Sequence, residues 1–145
     1  MKNFIGVKIV KAEVCQAWKR CGEYHKGDGG YKVTYKDGYT SWCPTKVFES
    51  NNFSIEKPDT ISKEEIKNMI HKTQTTIMSD KTTIVHVTLI NGFTLTEENS
   101  CIDPVNYDEQ ISVDLCMDKI TDKIQFLLEF LLQSAQNGFT SKEFK

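Results

Sequence analysis

TTIVHVTLINGFTLTEENSCIDP, residues 82–104, is the stretch whose reading decides the fold. Val85, Val87 and Leu89 alternate with His86, Thr88 and Ile90, and beyond Asn91-Gly92 Phe93 and Leu95 alternate with Thr94 and Thr96. Strict alternation places one set of side chains on each face of a strand. Asn-Gly between two such runs is a strong hairpin signal, and a two-residue turn of this kind asks φ > 0 at both positions. Asp103-Pro104 ends the sheet, and Asn106 or Asp108 is placed to cap a helix.

From there to about Gln136 there is no glycine or proline. Val113, Cys116, Met117, Ile120, Ile124, Leu127, Leu128 and Leu131 recur at helical spacing. About thirty residues of helix would run about 45 Å, longer than one small sheet covers. With Phe126, Phe130 and Leu132 widening the stripe, the pattern predicts burial against a second subunit; the other reading packs it wholly on the N-terminal part.

Upstream, Ser62-Lys63-Glu64-Glu65 reads as a capping box opening a helix that ends near Lys72. Residues 73–78 then read as a strand, making a three-stranded meander with the central hairpin. The polar segment 51–61 with Pro58 is a linker. Before it, residues 4–12 read as a strand, 12–22 as a short helix, and 31–43 as a second hairpin about Asp37-Gly38. Pro44 opens a short helix through Ser50. The expected fold is therefore α+β: antiparallel hairpins and a meander, short helices and one long C-terminal helix used in oligomerisation. Its parts are an N-terminal β module at 1–53, a linker at 54–61, a hairpin and long-helix module at 62–138, and a tail at 139–145.

The chain has 145 residues, enough for one core or two very small modules, and a net charge of −2. That balance argues against general binding to duplex DNA or an anionic membrane. No run is long or apolar enough for an export signal or a membrane span. The five cysteines are odd in number and fit neither zinc nor CxxC spacing, so they read as reduced thiols packing as small apolar groups. Arg20 is the only arginine, so an anion site would draw on lysines, backbone N–H groups or helix termini.

No nucleophile, metal or phosphate-loop motif appears; His25-Lys26-Gly27-Asp28-Gly29-Gly30 lacks the following GK[ST] and helix, and reads as a loop. The expectation is a protein that is not an enzyme and carries no cofactor. Lys119 and Lys123, one turn apart beside Asp118 and Asp122, read as a solvated helix face or as two ammonium groups offered to a phosphorylated ligand. Trp18, beside Lys19 and Arg20, and Phe93, after the turn, are either core rings or stacking platforms for a base.

Residues 61–133 resemble a family of small tailed-phage proteins, the gene-49/gene-66 type. The matching elements are Asn91-Gly92-Phe93, Ser100-Cys101, Asp103-Pro104-Val105-Asn106-Tyr107-Asp108, and the lysine-bearing helix Asp118-Lys119-Ile120-Thr121-Asp122-Lys123-Ile124. The chain departs where that family has a Trp-Leu-Glu-Gly-Tyr-like ending, and it lacks the alanine of Ser-Ala-Cys. The front looks like another phage module, through Ile5-Gly6-Val7-Lys8, Gly30-Tyr31-Lys32-Val33-Thr34-Tyr35, Asp37-Gly38-Tyr39-Thr40-Ser41-Trp42-Cys43-Pro44 and Val47-Phe48-Glu49.

As a whole the chain is similar to the Thoeris anti-defence proteins of the first type. That resemblance implies a homo-oligomer, a dimer or a hexamer built as a trimer of dimers, in the host bacterial cytoplasm. It implies sequestration, without cleavage, of a cyclic ADP-ribose isomer, with cyclic di- and trinucleotides as further ligands. Carried onto this sequence, Phe93 would be the stacking ring and Asp103 a polar contact to ribose or base. Trp18 and Arg20 are added by chemistry, Asn106 by its place at the helix start, and Lys119 and Lys123 as proxies for the helix arginines of phosphate-binding relatives. The rival readings are a module that binds a host protein and a minor phage structural protein.

Overall fold

The computed structural model describes residues 1–139; the end of the expected tail, 140–145, lies outside them. The chain divides into two compact units: residues 1–58 together with 131–139, and residues 59–130.

The second unit is built on β4 (Ile70–Ser79), β5 (Thr82–Leu89) and β6 (Thr94–Ser100), antiparallel in the order β4-β5-β6. The alternation in β5 is realised residue by residue: Thr83, Val85, Val87 and Leu89 are buried, and the residues between them are half-buried. Against that face runs α3 (Glu109–Asn137), a helix of 29 residues. Its buried side chains, Ser112, Cys116, Ile120, Ile124 and Leu128, recur every fourth residue and form one ridge. Polar contacts set its place on the sheet: Asn99 Nδ2 donates to Ser112 Oγ at 3.1 Å, and the hydroxyls of Thr83 and Tyr107 are hydrogen-bonded. Asp108 is the cap, its Oδ1 accepting from Ile111 N at 3.0 Å, while Asn106 lies in a preceding 3-10 turn, Pro104–Asn106. Gly138, at φ 68°, closes the helix with its N–H on Ser134 O.

Before the sheet, Ser62 and Glu65 form the reciprocal capping box, at 3.1 and 2.7 Å, opening α2 (Lys63–Asn68). This helix stops four residues short of Lys72. Its C-cap Met69 is buried, and Lys72 is paired with Thr88, so strand pairing takes the residues that spacing alone assigns to the helix.

The first unit holds a second antiparallel sheet, β1 (Lys11–Gln16), β2 (Gly29–Thr34) and β3 (Thr40–Pro44), followed by α1 (Thr45–Asn51). Here two expectations fail. Residues 4–10 form no strand despite their alternation, and Phe4 is 89% exposed. The expected helix at 12–22 is instead β1 and a turn. Lys11–Gln16 occupies the free edge of β2, from Lys11 opposite Thr34 to Gln16 opposite Gly29, and those ladder bonds outweigh a weak local helical pattern.

The sheet's packing centres on Trp42. Its indole N–H donates to Cys15 O at 2.9 Å, and Tyr24 meets its ring edge-on at 5.8 Å. A Cβ on Gly30 would lie 2.6 Å from the Trp42 ring, so only glycine fits beneath it. Tyr31 stacks on Phe48 at 4.5 Å and donates its hydroxyl to Glu49 Oε1 at 2.9 Å, a bond that holds the phenol pKa above its ordinary 10.0.

Candidate functional site

Phe93 sits directly after the β5–β6 turn. Leu89 N donates to Phe93 O at 2.8 Å and Gly92 N to Leu89 O at 2.9 Å, so the loop is the three residues Ile90, Asn91 and Gly92. Only Gly92 has positive φ, 86°; Asn91 does not. This is a turn with a left-handed glycine bulge, not the two-residue turn expected. Asn91 contributes through its side chain, whose Oδ1 accepts from Phe93 N at 3.0 Å. The extra residue carries Phe93 away from the core: its ring is 52% exposed, while Leu95, two residues on, is half-buried. Trp18, within the expected 12–22 helix, lies instead in the bend after β1 and is 43% exposed. Of the two readings of these aromatics, neither ring fills the core. Arg20, close by, donates from Nε to Gly22 O at 3.3 Å.

Asp103 caps the 3-10 turn, its Oδ1 accepting from Val105 N at 3.0 Å; Asn106 N donates to Asp103 O at 3.0 Å, and both side chains are exposed. They follow the far end of β6, a strand of seven residues that starts after Phe93. At strand rise that is about 24 Å, so within one chain Phe93 and Asp103 do not meet one small ligand. Lys119 and Lys123 face the middle of the same strand. Lys119 Nζ donates to Glu98 O at 3.3 Å, and Lys123 forms an ion pair with Glu97, whose side chain is only 16% exposed. Both ammonium groups thus fasten α3 to β6. Trp18 and Arg20 belong to the first unit, the other five candidates to the second.

The structure also brings together residues that the sequence reading passed over. Within the first unit, a groove of about 1040 Å³ lies between residues 8–11, which lead into β1, and the β2–β3 turn. Lys8, Lys11 and Lys36 line it with Tyr35, Asp37 and Tyr39, and Pro58 and Gln136 close one side, where the Gln136 amide donates to Pro58 O. The Lys8 ammonium stands 4.5 Å from the centre of the Tyr35 ring. The only signal for this cluster in the sequence is a tyrosine on each side of Lys36-Asp37-Gly38; the lysines come from another segment.

Among the described residues no cluster of histidine, cysteine or carboxylate side chains could hold a metal ion, and no helix is long and apolar enough to cross a membrane. Burial pushes the thiols of Cys43 and Cys116 above their ordinary pKa, away from the reactive thiolate.

A meander backed by one long helix, preceded by a capping-box helix, is thus the part of the chain that carries most of the candidate residues. Residues 54–136, more than half of the chain, match the model of the phage protein (N4 Gp49/phage Sf6 gene 66) family, and the chain belongs to that family. No curated protein and no solved structure matches the chain.

Proposed function

We propose that this phage-family protein is an anti-defence sponge: it binds a cyclic nucleotide immune signal, a cyclic ADP-ribose isomer in the first instance, and holds it without cleavage in the host cytoplasm, so blocking Thoeris immunity. Cyclic di- and trinucleotides of CBASS pathways are further ligands of this reading. The observation that carries it is the Phe93 ring, half exposed on a turn fixed by two backbone hydrogen bonds and the Asn91 side chain. Such a turn fixes the backbone that carries the ring, which lowers the cost of stacking a base on it.

The separation of Phe93 from Asp103 and Asn106 gives this reading a specific form. One ligand touching both ends of β6 takes them from different chains. The apolar outer face of α3, where Phe126 is 71% exposed and Ile111, Leu115 and Phe130 are also exposed, supplies a surface for the homo-oligomer that this needs.

The test is retention and release. Purified protein is mixed with glycocyclic ADP-ribose, freed of unbound ligand and heated; intact ligand is expected in the supernatant. Phe93→Ala is expected to lower retention about tenfold while leaving the melting temperature nearly unchanged. No retained ligand would reject the reading, and a cleaved product would make the protein an enzyme. A host protein captured equally by wild type and Phe93→Ala, with no nucleotide bound, would favour the protein-binding alternative.

A further inference from the structure

The groove beside the β2–β3 turn has chemistry of its own. The chain as a whole has a net charge of −2, yet the groove sets three lysines against one carboxylate. That carboxylate is already engaged, since Asp37 Oδ1 accepts from Tyr39 N at 3.0 Å and holds the turn. Among the described residues none of Lys8, Lys11 and Lys36 is paired with a carboxylate. Lys8 is held against Tyr35 by its cation–π contact, and Tyr35 is fixed in turn by its hydroxyl, 3.4 Å from Ser41 Oγ.

Tyr39 is different. It is 65% exposed, and its ring lies 5.8 Å from that of Tyr35 at 31°, tilted rather than stacked, which leaves a face open. Gly38, at φ 88°, and the bond from Tyr35 N to Tyr39 O at 2.9 Å fix the backbone that carries it. A single inorganic anion would use the lysines and leave Tyr39 and most of the groove idle. Pockets of about 300–1000 Å³ suit molecules of drug or nucleotide size. Unpaired cations beside an open aromatic face select a ligand that is anionic at one end and flat and aromatic at the other.

We infer that this groove is a second binding site, for a nucleoside diphosphate or a nucleotide of like charge, with the base on Tyr39 and the phosphates among Lys8, Lys11 and Lys36. It is independent of the Phe93 hairpin. Its lysines and tyrosines, within residues 8–39, lie outside the 54–136 family match, while Pro58, Ala135 and Gln136, on its closed side, lie within it.

ADP serves as the probe, with adenosine and pyrophosphate as its two halves, measured by calorimetric titration on the full chain at low salt. ADP is expected to bind at one per chain, and each half about tenfold more weakly. Tyr39→Ala and Lys36→Glu, both at exposed turn positions, are each expected to weaken ADP about tenfold, with Lys8→Ala as a further variant should either one lower the melting temperature. Phe93→Ala is expected to leave ADP affinity within about twofold. No saturable ADP binding up to millimolar concentration overturns the inference. So does pyrophosphate binding as tightly as ADP, which would mean an anion patch only, or an ADP affinity that answers to Phe93→Ala and not to Tyr39→Ala. Loss of glycocyclic ADP-ribose retention with ADP binding intact would reject the proposed function and leave this site standing.

Discussion

The two sheets of this chain use one turn and two different ways of holding together. The β2–β3 connection, Lys36-Asp37-Gly38, and the β5–β6 connection, Ile90-Asn91-Gly92, have the same hydrogen bonds to within 0.1 Å, and their glycines have φ of 88° and 86°. In each, an Asp or Asn Oδ1 accepts from the N–H of the aromatic residue that follows, Tyr39 or Phe93, and both rings are exposed. Beyond the turns the likeness ends. The β4–β6 sheet buries aliphatic side chains under a long helix. The β1–β3 sheet has Val33, with Ala17 just past β1, as buried apolar residues, and relies on Trp42 over Gly30 and on Tyr31 against Phe48. The lesson is that the turn fixes register and presents an aromatic, whereas the surrounding layer decides stability.

The largest expected effect is on the helix-covered sheet. Ile120 has no exposed surface, and Ile120→Ala leaves a cavity in the ridge that faces β5. A loss of about 3 kcal/mol is expected, read from denaturant unfolding by far-UV dichroism. In the other sheet, Gly30→Ala forces a Cβ against Trp42 and the Cys43 carbonyl, with an expected loss of about 2 kcal/mol. Both tryptophans, Trp18 and Trp42, lie in the first unit, so tryptophan fluorescence reports that unit alone. If the two sheets are held separately, Gly30→Ala moves the fluorescence transition more than the dichroism transition, and Ile120→Ala does the reverse. Coincident shifts in both variants would show one cooperative block and break the comparison. Ser62→Ala removes one half of the capping box and is expected to cost about 1 kcal/mol, visible in dichroism only.

What was legible in the sequence follows the range of the interactions involved. The capping box, the long helix, the meander and both Gly-containing turns are local, and their residues announce them. β1 was not legible, because Lys11–Gln16 is a strand only through its pairing with β2, about fifteen residues away, and its own apolar spacing is weak. The exposure of Phe93 was hidden by one residue: a two-residue turn keeps the alternation running through it, and the Gly92 bulge interrupts that alternation. The engagement of Lys119 and Lys123 with β6 spans more than twenty residues and depends on where α3 crosses the sheet. The lysine-and-tyrosine groove joins segments that no single motif links. Two residues that carry the front's resemblance, by contrast, have packing roles here: Gly30 makes room for Trp42, and Glu49 holds the Tyr31 hydroxyl.

The smallest expected effect tests whether the two turns are one device. Asp37→Asn and Asn91→Asp exchange the side chains between the loops and keep an Oδ1 in each for the following N–H. If the oxygen acceptor and the left-handed glycine are all that the turn uses, each exchange changes stability by less than about 0.5 kcal/mol. A charge-sensitive role predicts an asymmetry instead. At Asp37 the neighbouring Lys8, Lys11 and Lys36 would lose their one carboxylate in the groove, so Asp37→Asn would strengthen ADP binding there. Asn91→Asp would leave ADP binding at that groove unchanged and would weaken retention of an anionic nucleotide at Phe93, because the new charge stands beside the stacking ring. Equal, small stability changes with opposite effects on the two ligands would establish that both sheets use one turn as scaffold and that the charge around each turn sets what its aromatic ring receives.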